Sequence, residues 1–213
     1  MKGIITADVV GSTQMDTEVR NALPEILNGI VDSMQGITPL HLEMYRGDSF
    51  QIVVDNYAKA PFVAVLIRIG LMRNSCMANM SKLDARVSVG IGNVSYIADT
   101  IGKSDGEAFV LSGRAFDHLG KKRLVMVTSN ELVNGELAVY ESILDELLSD
   151  VTCARSRTIF AHLLNPELTM EKIGHLLGMS KQAVSQAYRA TRVAIIDLVL
   201  KRIEYVLSNY LRK

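Results

Sequence analysis

The chain has 213 residues, 48% of them apolar, with 23 basic and 23 acidic side chains. This is enough apolar material to fill a core, which excludes a disordered chain, and the length suits one large domain or two small ones. The apolar runs are short and interrupted, so no transmembrane helix and no secretory signal is expected. Two cysteines, Cys76 and Cys153, are too few for a disulfide framework or a zinc site and favour reduced thiols in a cytoplasmic protein.

The balanced net charge conceals an uneven distribution along the chain. Residues 1–151 carry 13 Lys or Arg against 19 Asp or Glu, whereas residues 152–213 carry 10 against 4. A basic segment behind an acidic body suggests a polyanionic partner for the C-terminal part. Chance variation between two solvated surfaces explains the same numbers equally well.

In chain order, the periodicities predict the sequence of elements β-α-β-β-α-β-α-β over residues 1–130. Strand patterns occur at 2–10, 40–46, 48–54, 85–97 and 123–128, and helical patterns at 14–35, 57–81 and 105–119. Pro24 should kink the first helix or restart it. This order predicts an α+β fold with a ferredoxin-like βαββαβ sheet domain and helices packed on a face of the sheet.

After residue 130 the strand patterns stop, and helical patterns follow at 130–150, 153–164, 169–177, 181–190 and from there to 211. We therefore predict three parts: a sheet domain at 1–130, a connector helix at 131–150 and an all-α domain at 151–213.

The segment TMEKIGHLLGMSKQAVSQAYRATR, residues 169–192, has the spacing of a helix-turn-helix. Gly174 supplies a small residue where two helices cross, Gly178 supplies the glycine of the sharp turn, and Ser180 is a good N-cap for the second helix. The apolar positions expected to be buried are Ile173, Leu177, Met179, Val184 and Ala187. The alternative is an ordinary helical hairpin.

The second helix of this pair would present polar side chains suited to duplex DNA. Lys181 and Arg189 are candidates for phosphate contacts, and Gln182, Ser185 and Gln186 are candidates for base edges in the major groove. Ser180, at the start of the helix, completes the predicted DNA-binding set.

An apolar stripe follows the second helix, at Ile196, Val199, Ile203, Val206 and Tyr210. Its spacings of three and four residues predict one buried helix face, either within the chain or against a second subunit. A single helix-turn-helix usually binds DNA weakly, so a homodimer is expected if the chain is a regulator.

Two aspartates interrupt apolar strand patterns in the first part of the chain. Asp8 ends the first strand and Asp48 lies at a hairpin tip, so the predicted topology places both at one edge of the sheet. Close carboxylates repel each other unless a cation lies between them, which predicts Mg²⁺ or Mn²⁺ with nucleotide phosphates completing the shell. The turn Gly11, Ser12 and Thr13 offers backbone N–H groups that suit a phosphate.

Each aspartate also has an ordinary structural explanation. Asp8 suits a turn residue that caps the following segment, and Asp48 suits a hairpin turn beside glycine. Arg46 and Arg114 are candidates for ion pairs with these carboxylates, which would remove the need for a metal.

Four segments together resemble the class III nucleotide cyclases. ADVVGST (7–13) resembles their first metal-binding motif, YRGDSF (45–50) their hairpin motif, RVSVGIG (86–92) the next strand, and GEAFVLSGRAFD (106–117) the helix with their transition-state residues. The resemblance covers roughly residues 3–120 and implies a homodimer with the site between subunits. With its helical tail, the whole chain is similar to the SatD-type bacterial proteins.

This resemblance implies that Asp8 and Asp48 are metal ligands and that Arg114 is the catalytic arginine. The chain departs from the family at one transition-state position and two base-selecting positions: Val110, Met44 and Lys103. These departures are compatible with metal binding and count against cyclisation, because losing one transition-state donor costs roughly 10²–10³ in rate.

Three functions fit these patterns. The first is a DNA-binding transcriptional regulator whose degenerate cyclase-like domain dimerises and binds a nucleotide or a metal. The alternative is a metal-dependent nucleotidyl cyclase or a related phosphotransfer enzyme. A third is an assembly module whose helical tail binds protein.

Overall fold

A computed structural model describes residues 1–12, 15–45, 47–75 and 83–211. Its strands are β1 (Lys2–Val9), β2 (Leu40–Tyr45), β3 (Ser49–Val54), β4 (Ala85–Gly92) and β5 (Leu124–Thr128). Its α-helices are α1 (Thr17–Asp32), α2 (Ala60–Ser75), α3 (Glu107–Asp117), α4 (Glu131–Ser149), α5 (Cys153–Leu164), α6 (Met170–Leu177), α7 (Lys181–Thr191) and α8 (Val193–Tyr210).

The strands form one sheet in the order β2-β3-β1-β4-β5. β1 is antiparallel to both β3 and β4, and β5 adds to the edge in parallel with β4. The first four strands with α1 and α2 therefore form a βαββαβ unit, which α3 and β5 extend. The predicted α+β fold and the predicted order of its first eight elements are confirmed.

Alternation along β1 gives the sheet two different faces. Ile5 and Ala7 point into the main core with α1 and α2. Ile4 joins a smaller cluster with Ala108 of α3, and Thr6 contacts Ser112 of the same helix. Since successive residues of a strand face opposite sides, α3 covers the face that also carries Asp8.

The C-terminal helices divide into two groups by the core they join. Residues of α4, α5 and α8 belong to the main core, for example Leu144, Ile159 and Ile203. Ile173 of α6 and Val184 of α7 form a separate small cluster with Ala161 of α5. The three-part division at 1–130, 131–150 and 151–213 stays a prediction.

Three sequence expectations can be compared directly with these helices. α1 runs through Pro24 as a single helix, so it does not restart there. Ile196 and Ile203 of the α8 stripe are fully buried within the chain, whereas Tyr210 is 57% exposed. Cys153 takes part in a disulfide bond, so the prediction of a reduced thiol is wrong for this residue. Cys76 lies outside the described residues.

A buried ion network joins the sheet to α2 and α4. The Arg68 side chain is fully buried and donates from Nε and Nη2 to the Asp84 carboxylate at 3.0 and 3.1 Å. Its Nη1 donates to Asp145 Oδ1 at 2.7 Å, and Asp145 Oδ2 accepts from the Arg123 backbone N–H at 2.9 Å. Each charge in this network has a partner, as the interior of a protein requires.

The helices that the structure describes include none with both the length and the hydropathy of a membrane span.

Candidate functional site

The structure brings Asp8 and Asp48 to the same end of the sheet. Asp8 is the register partner of Ser49 across β1 and β3. The Val9 backbone N–H donates to the Asp48 carbonyl oxygen at 3.0 Å, which closes the hairpin tip against the end of β1. The two aspartates are thus neighbours at one end of the sheet, Asp8 in β1 and Asp48 in the turn before β3, as the topology predicted.

The Asp8 carboxylate is held by Arg86, a residue that the sequence did not indicate. Arg86 faces Asp8 across the β1–β4 register. Its Nε donates to Asp8 Oδ1 at 2.9 Å and its Nη2 donates to Oδ2, a two-pronged ion pair. The guanidinium also lies 5.4 Å from the centroid of the Phe116 ring. The hydrogen bonds that Arg86 donates to Asp8 raise the pKa of Arg86 above its ordinary value.

The Asp48 carboxylate is held by the turn after β1. Ser12 Oγ donates to Asp48 Oδ2, and the Ser49 hydroxyl lies 3.3 Å from Oδ1. Gly11 has a φ of +75°, a conformation that favours glycine in this turn. Thr13, the last residue of the predicted phosphate-binding turn, lies outside the described residues, as does Arg46.

These contacts decide how well the site fits a divalent cation. Both oxygens of Asp8 accept from Arg86, and the two oxygens of Asp48 accept from Ser12 and Ser49. Within the described ranges, no group of three or more His, Cys, Asp or Glu side chains is placed to hold a metal. As arranged, the donor set suits an internal ion pair better than Mg²⁺ or Mn²⁺, because Arg86 already supplies the positive charge.

Arg114, the candidate catalytic residue, lies on the outer side of α3. It is exposed, as is Val110 one turn earlier, whereas Ala108 and Ser112 are buried against the sheet. Arg114 therefore points away from the face that carries Asp8, and the structure does not bring these two residues together within one chain.

Short polar side chains fill the sheet face beside Asp8. Gln51 Nε2 donates to Thr6 Oγ1 at 3.1 Å, and the hydroxyls of Thr6 and Ser112 are 2.6 Å apart. α3 lies so close to β4 that a Cβ at Gly90 would be 2.3 Å from the Ala108 carbonyl oxygen. This part of the face is closed by the chain itself.

The geometry of the turn between α6 and α7 explains why glycines occur at positions 174 and 178. Gly178 ends α6 with a φ of +66°, and the Met179 N–H donates back to the Gly174 carbonyl oxygen at 2.8 Å. A Cβ on Gly174 would come within 2.6 Å of the Met179 carbonyl oxygen, so a side chain does not fit there. Ser180 Oγ accepts from the Ala183 N–H at 3.2 Å and caps α7.

α7 presents its polar side chains to solvent. Lys181, Gln182, Gln186 and Arg189 are exposed, and Ser185 is half-buried. In the ranges that the structure describes, the side chains of the four exposed residues make no hydrogen bond or ion pair with the chain. The predicted set therefore lies together on one helix, with its donors free to meet a ligand.

The opposite side of α7 is fixed by apolar and aromatic contacts. Val184 is fully buried, and the Tyr188 ring meets the His162 ring edge to face at a centroid distance of 4.9 Å. Burial raises the pKa of Tyr188 to about 12 and lowers the pKa of His162 below its ordinary value. α7 is thus anchored on α5 and α6 through one face only.

No family model and no curated protein matches the sequence. Several solved structures are similar over somewhat more than half of the chain, among them the following three. The guanylyl cyclase Cya2 is 16% identical, with a TM-score of 0.41, over 55% of this chain and 69% of that one. An active GGEEF domain of a diguanylate cyclase from Vibrio cholerae is 15% identical, with a TM-score of 0.42, over 61% and 83%.

The third structure is a bacterial light-regulated adenylyl cyclase, 13% identical, with a TM-score of 0.38, over 59% of this chain and 74% of that one. TM-scores below 0.5 at these identities do not define a family or an activity. Membership of the SatD type stays a prediction.

Proposed function

We propose that this chain is a DNA-binding regulator, acting as a homodimer, that reads duplex DNA with α7. One observation carries the proposal: the amide and basic side chains of α7 are exposed and unpaired, while its other face is packed on α5 and α6. In known helix-turn-helix proteins the N-terminal residues of the second helix contact base edges. Lys181, Gln182 and Ser185 occupy the first turns of α7.

The charge distribution supports a phosphate-bearing partner for the same region. Residues 152–213 contain 10 Lys or Arg against 4 Asp or Glu. Two of the four acids, Asp197 and Glu204, are already paired with lysines of the chain. The excess of positive charge suits the sequence-independent part of DNA affinity, which comes from phosphate neutralisation.

The test begins with selection of duplexes from a randomised pool, followed by fluorescence anisotropy against salt concentration. Lys181→Ala should weaken binding to all duplexes alike and reduce the salt slope by about 1, because a single phosphate contact is lost. Gln182→Ala should cost about 1–3 kcal/mol on the preferred duplex and relax the preference at one position. The matched control is Lys121→Ala, which replaces an exposed lysine of the sheet part. It should change neither the affinity for DNA with its salt slope nor the sequence preference. Absence of salt-dependent binding to any duplex would reject the proposal.

A second candidate is a metal-dependent nucleotidyl cyclase or related phosphotransfer enzyme. The adjacency of Asp8 and Asp48 at one end of the sheet favours it. In this candidate the two carboxylates would bind Mg²⁺ or Mn²⁺ with a nucleotide, and Arg86 would have to leave Asp8. Its guanidinium side chain is 42% exposed, so such a movement would meet solvent and not the core.

Incubation of the four nucleoside triphosphates with Mn²⁺ tests this candidate. A cyclic product that disappears in Asp48→Ala and persists in Asp55→Ala, an exposed aspartate at the other end of β3, would replace the first proposal. Absence of any product with the wild-type chain and with Arg86→Ala would remove it.

A further inference from the structure

α4 and α8 lie side by side in opposite directions on the outside of the molecule. Near the start of α4, Leu132 and Glu136 line a cavity of about 480 Å³ together with Arg202 and Tyr210 near the end of α8. At the other end, Glu146 of α4 shares a smaller cavity with Arg192, the residue that precedes α8. The two helices therefore share one outward surface along their whole length.

This surface carries most of the large apolar side chains that the described residues expose. We call the seven residues on it the α4–α8 strip: Leu132 (86% exposed), Val139 (58%), Ile143 (37%), Ile195 (43%), Leu198 (66%), Tyr205 (52%) and Tyr210 (57%). The spacings within each helix place these residues on a common outer face. Exposed apolar side chains are ordinary when they are scattered, but a contiguous strip on adjacent helices marks a contact surface.

The charges beside the strip indicate which partner covers it. The exposed ionic side chains of α4 are acidic: Glu131, Glu136 and Glu146. Those of α8, with the residue before it, are basic: Arg192, Lys201 and Arg202. The surface thus has an acidic half on one helix and a basic half on the other, and such a surface is complementary to a copy of itself.

We infer that a second copy of this chain covers the α4–α8 strip, with α4 of each subunit against α8 of the other. A two-fold axis parallel to the helices generates this four-helix arrangement. Glu136 and Arg202 lie at one level along the pair, and Glu146 and Arg192 at another. Under this two-fold axis Glu136 and Glu146 would each face a base of the partner subunit. α4 and α8 expose 10 and 8 residues, close to the roughly 20 residues a side of a standard interface.

This inference rests on the homodimer of the proposed function and names its interface, and it does not require DNA. It also differs from the interface that the cyclase resemblance implies, which would lie in the sheet part. α7 is joined to α8 through Arg192 alone, so an interface on α8 would hold the two α7 helices at a fixed separation.

Sedimentation velocity of the full chain without DNA tests the inference independently of DNA binding. The wild type should have the mass of a dimer at micromolar concentration. Leu198→Glu and Val139→Glu should give monomers whose circular dichroism and melting temperature are unchanged, because both positions are exposed in the folded chain. Val110→Glu on α3 and Leu176→Glu on α6, 42% and 62% exposed, are matched controls and should remain dimers. A monomeric wild type, or a dimer lost in Val110→Glu and kept in Leu198→Glu, would overturn the inference.

A charge exchange tests the pairing of the helices. Glu136→Arg and Arg202→Glu each place like charges opposite one another in the homodimer, so each should weaken self-association. Mixing the two variants restores opposite charges at both contacts, and native mass spectrometry should find mixed dimers in excess over either homodimer. A statistical mixture would contradict this pairing.

Discussion

The end of the sheet and the outer face of α7 both carry charged and polar residues, but only those at the sheet end have hydrogen-bond partners within the described chain. At the sheet end, Asp8 is held by Arg86 and Asp48 is held by Ser12. On α7, Lys181 and Gln182 are exposed and make no polar contact with the described chain. Polar groups that already have internal partners lose those contacts when they bind a ligand, whereas solvated groups exchange only water. The comparison favours α7 as the surface for a partner.

The largest effect on the free energy of unfolding should come from removing a buried charge of the sheet part. Arg68→Met leaves Asp84 and Asp145 short of a buried partner and should lower the free energy of unfolding by about 3–5 kcal/mol. Urea denaturation measures it. Arg189→Met on α7 is the matched substitution and should change stability by less than about 0.5 kcal/mol. Equal effects of the two substitutions would remove the distinction between the regions.

The next effect depends on pH and concerns Glu141, which is buried and accepts a hydrogen bond from the Met126 N–H. Burial raises the pKa of Glu141 from 4.5 to about 7. The folded chain therefore prefers the protonated carboxyl of Glu141. The contribution of this protonated side chain to the free energy of unfolding is complete below pH 4.5 and is lost as the pH rises through about 7. A pKa difference of this size corresponds to at most ~3 kcal/mol.

Glu141→Gln keeps an acceptor for Met126 and cannot ionise. It should raise the free energy of unfolding at pH 8 by about 2 kcal/mol and leave it nearly unchanged at pH 4. Urea titrations at both pH values measure this. Glu25→Gln, at an exposed position of α1, should show no such dependence. A wild-type stability that does not fall between these pH values would contradict the assignment.

A smaller and local effect is expected at the turn before α7. Gly174→Ala places a Cβ 2.6 Å from the Met179 carbonyl oxygen and should cost about 1–3 kcal/mol, with a matching loss of DNA affinity. Gly113→Ala on α3 is the control, because nothing lies within 4 Å of its added Cβ, and it should be neutral or stabilising. Hydrogen exchange of α6 and α7 amides locates the effect. Unchanged exchange in Gly174→Ala would show that the turn relaxes around the new methyl group.

The smallest effect concerns the cap of α7. Ser180→Ala removes the acceptor of the Ala183 N–H and should cost about 1 kcal/mol, whereas Ser180→Asp should restore the cap. Ser180→Asp also brings a negative charge toward DNA, so stability and DNA affinity should move in opposite directions in this variant. If stability and DNA affinity changed in the same direction in Ser180→Asp, Ser180 would not lie close to the DNA phosphates.

Local features made much of this fold predictable. The hairpin follows from Gly47, which has a φ of +84°, and the α6–α7 turn follows from Gly174 and Gly178. Such signals require only neighbouring residues and a periodic pattern, and they placed four of the five strands within one residue at each end. The prediction was wrong for the end of β4, which stops at Gly92, five residues before the predicted residue 97. Pro24 does not restart α1, because packing of the buried face of α1 outweighs one missing backbone hydrogen bond, and the kink predicted there as the other outcome stays a prediction.

The partners of the aspartates could not be predicted, because they depend on strand register. Arg86 comes 78 positions after Asp8 and meets it only through the β1–β4 pairing. Arg68 did leave a signal: it lies in the middle of an apolar helix, whereas Arg73, the other charged residue of α2, lies in the last turn. A charged residue in the middle of such a helix must find a buried counter-ion. Its counter-ions, Asp84 and Asp145, become apparent only when α2 and α4 have docked on the sheet.

Arg192 alone separates α7 from α8, in a left-handed conformation with a φ of +50°. α8 is embedded in the main core and is tied to the sheet part by an ion pair between Glu204 and Lys59. No flexible linker therefore joins α7 to the rest of the chain, and we expect α7 to keep a fixed orientation relative to the sheet. Rotational diffusion should be that of one rigid particle, with a single NMR correlation time for the amides of α7 and of the sheet.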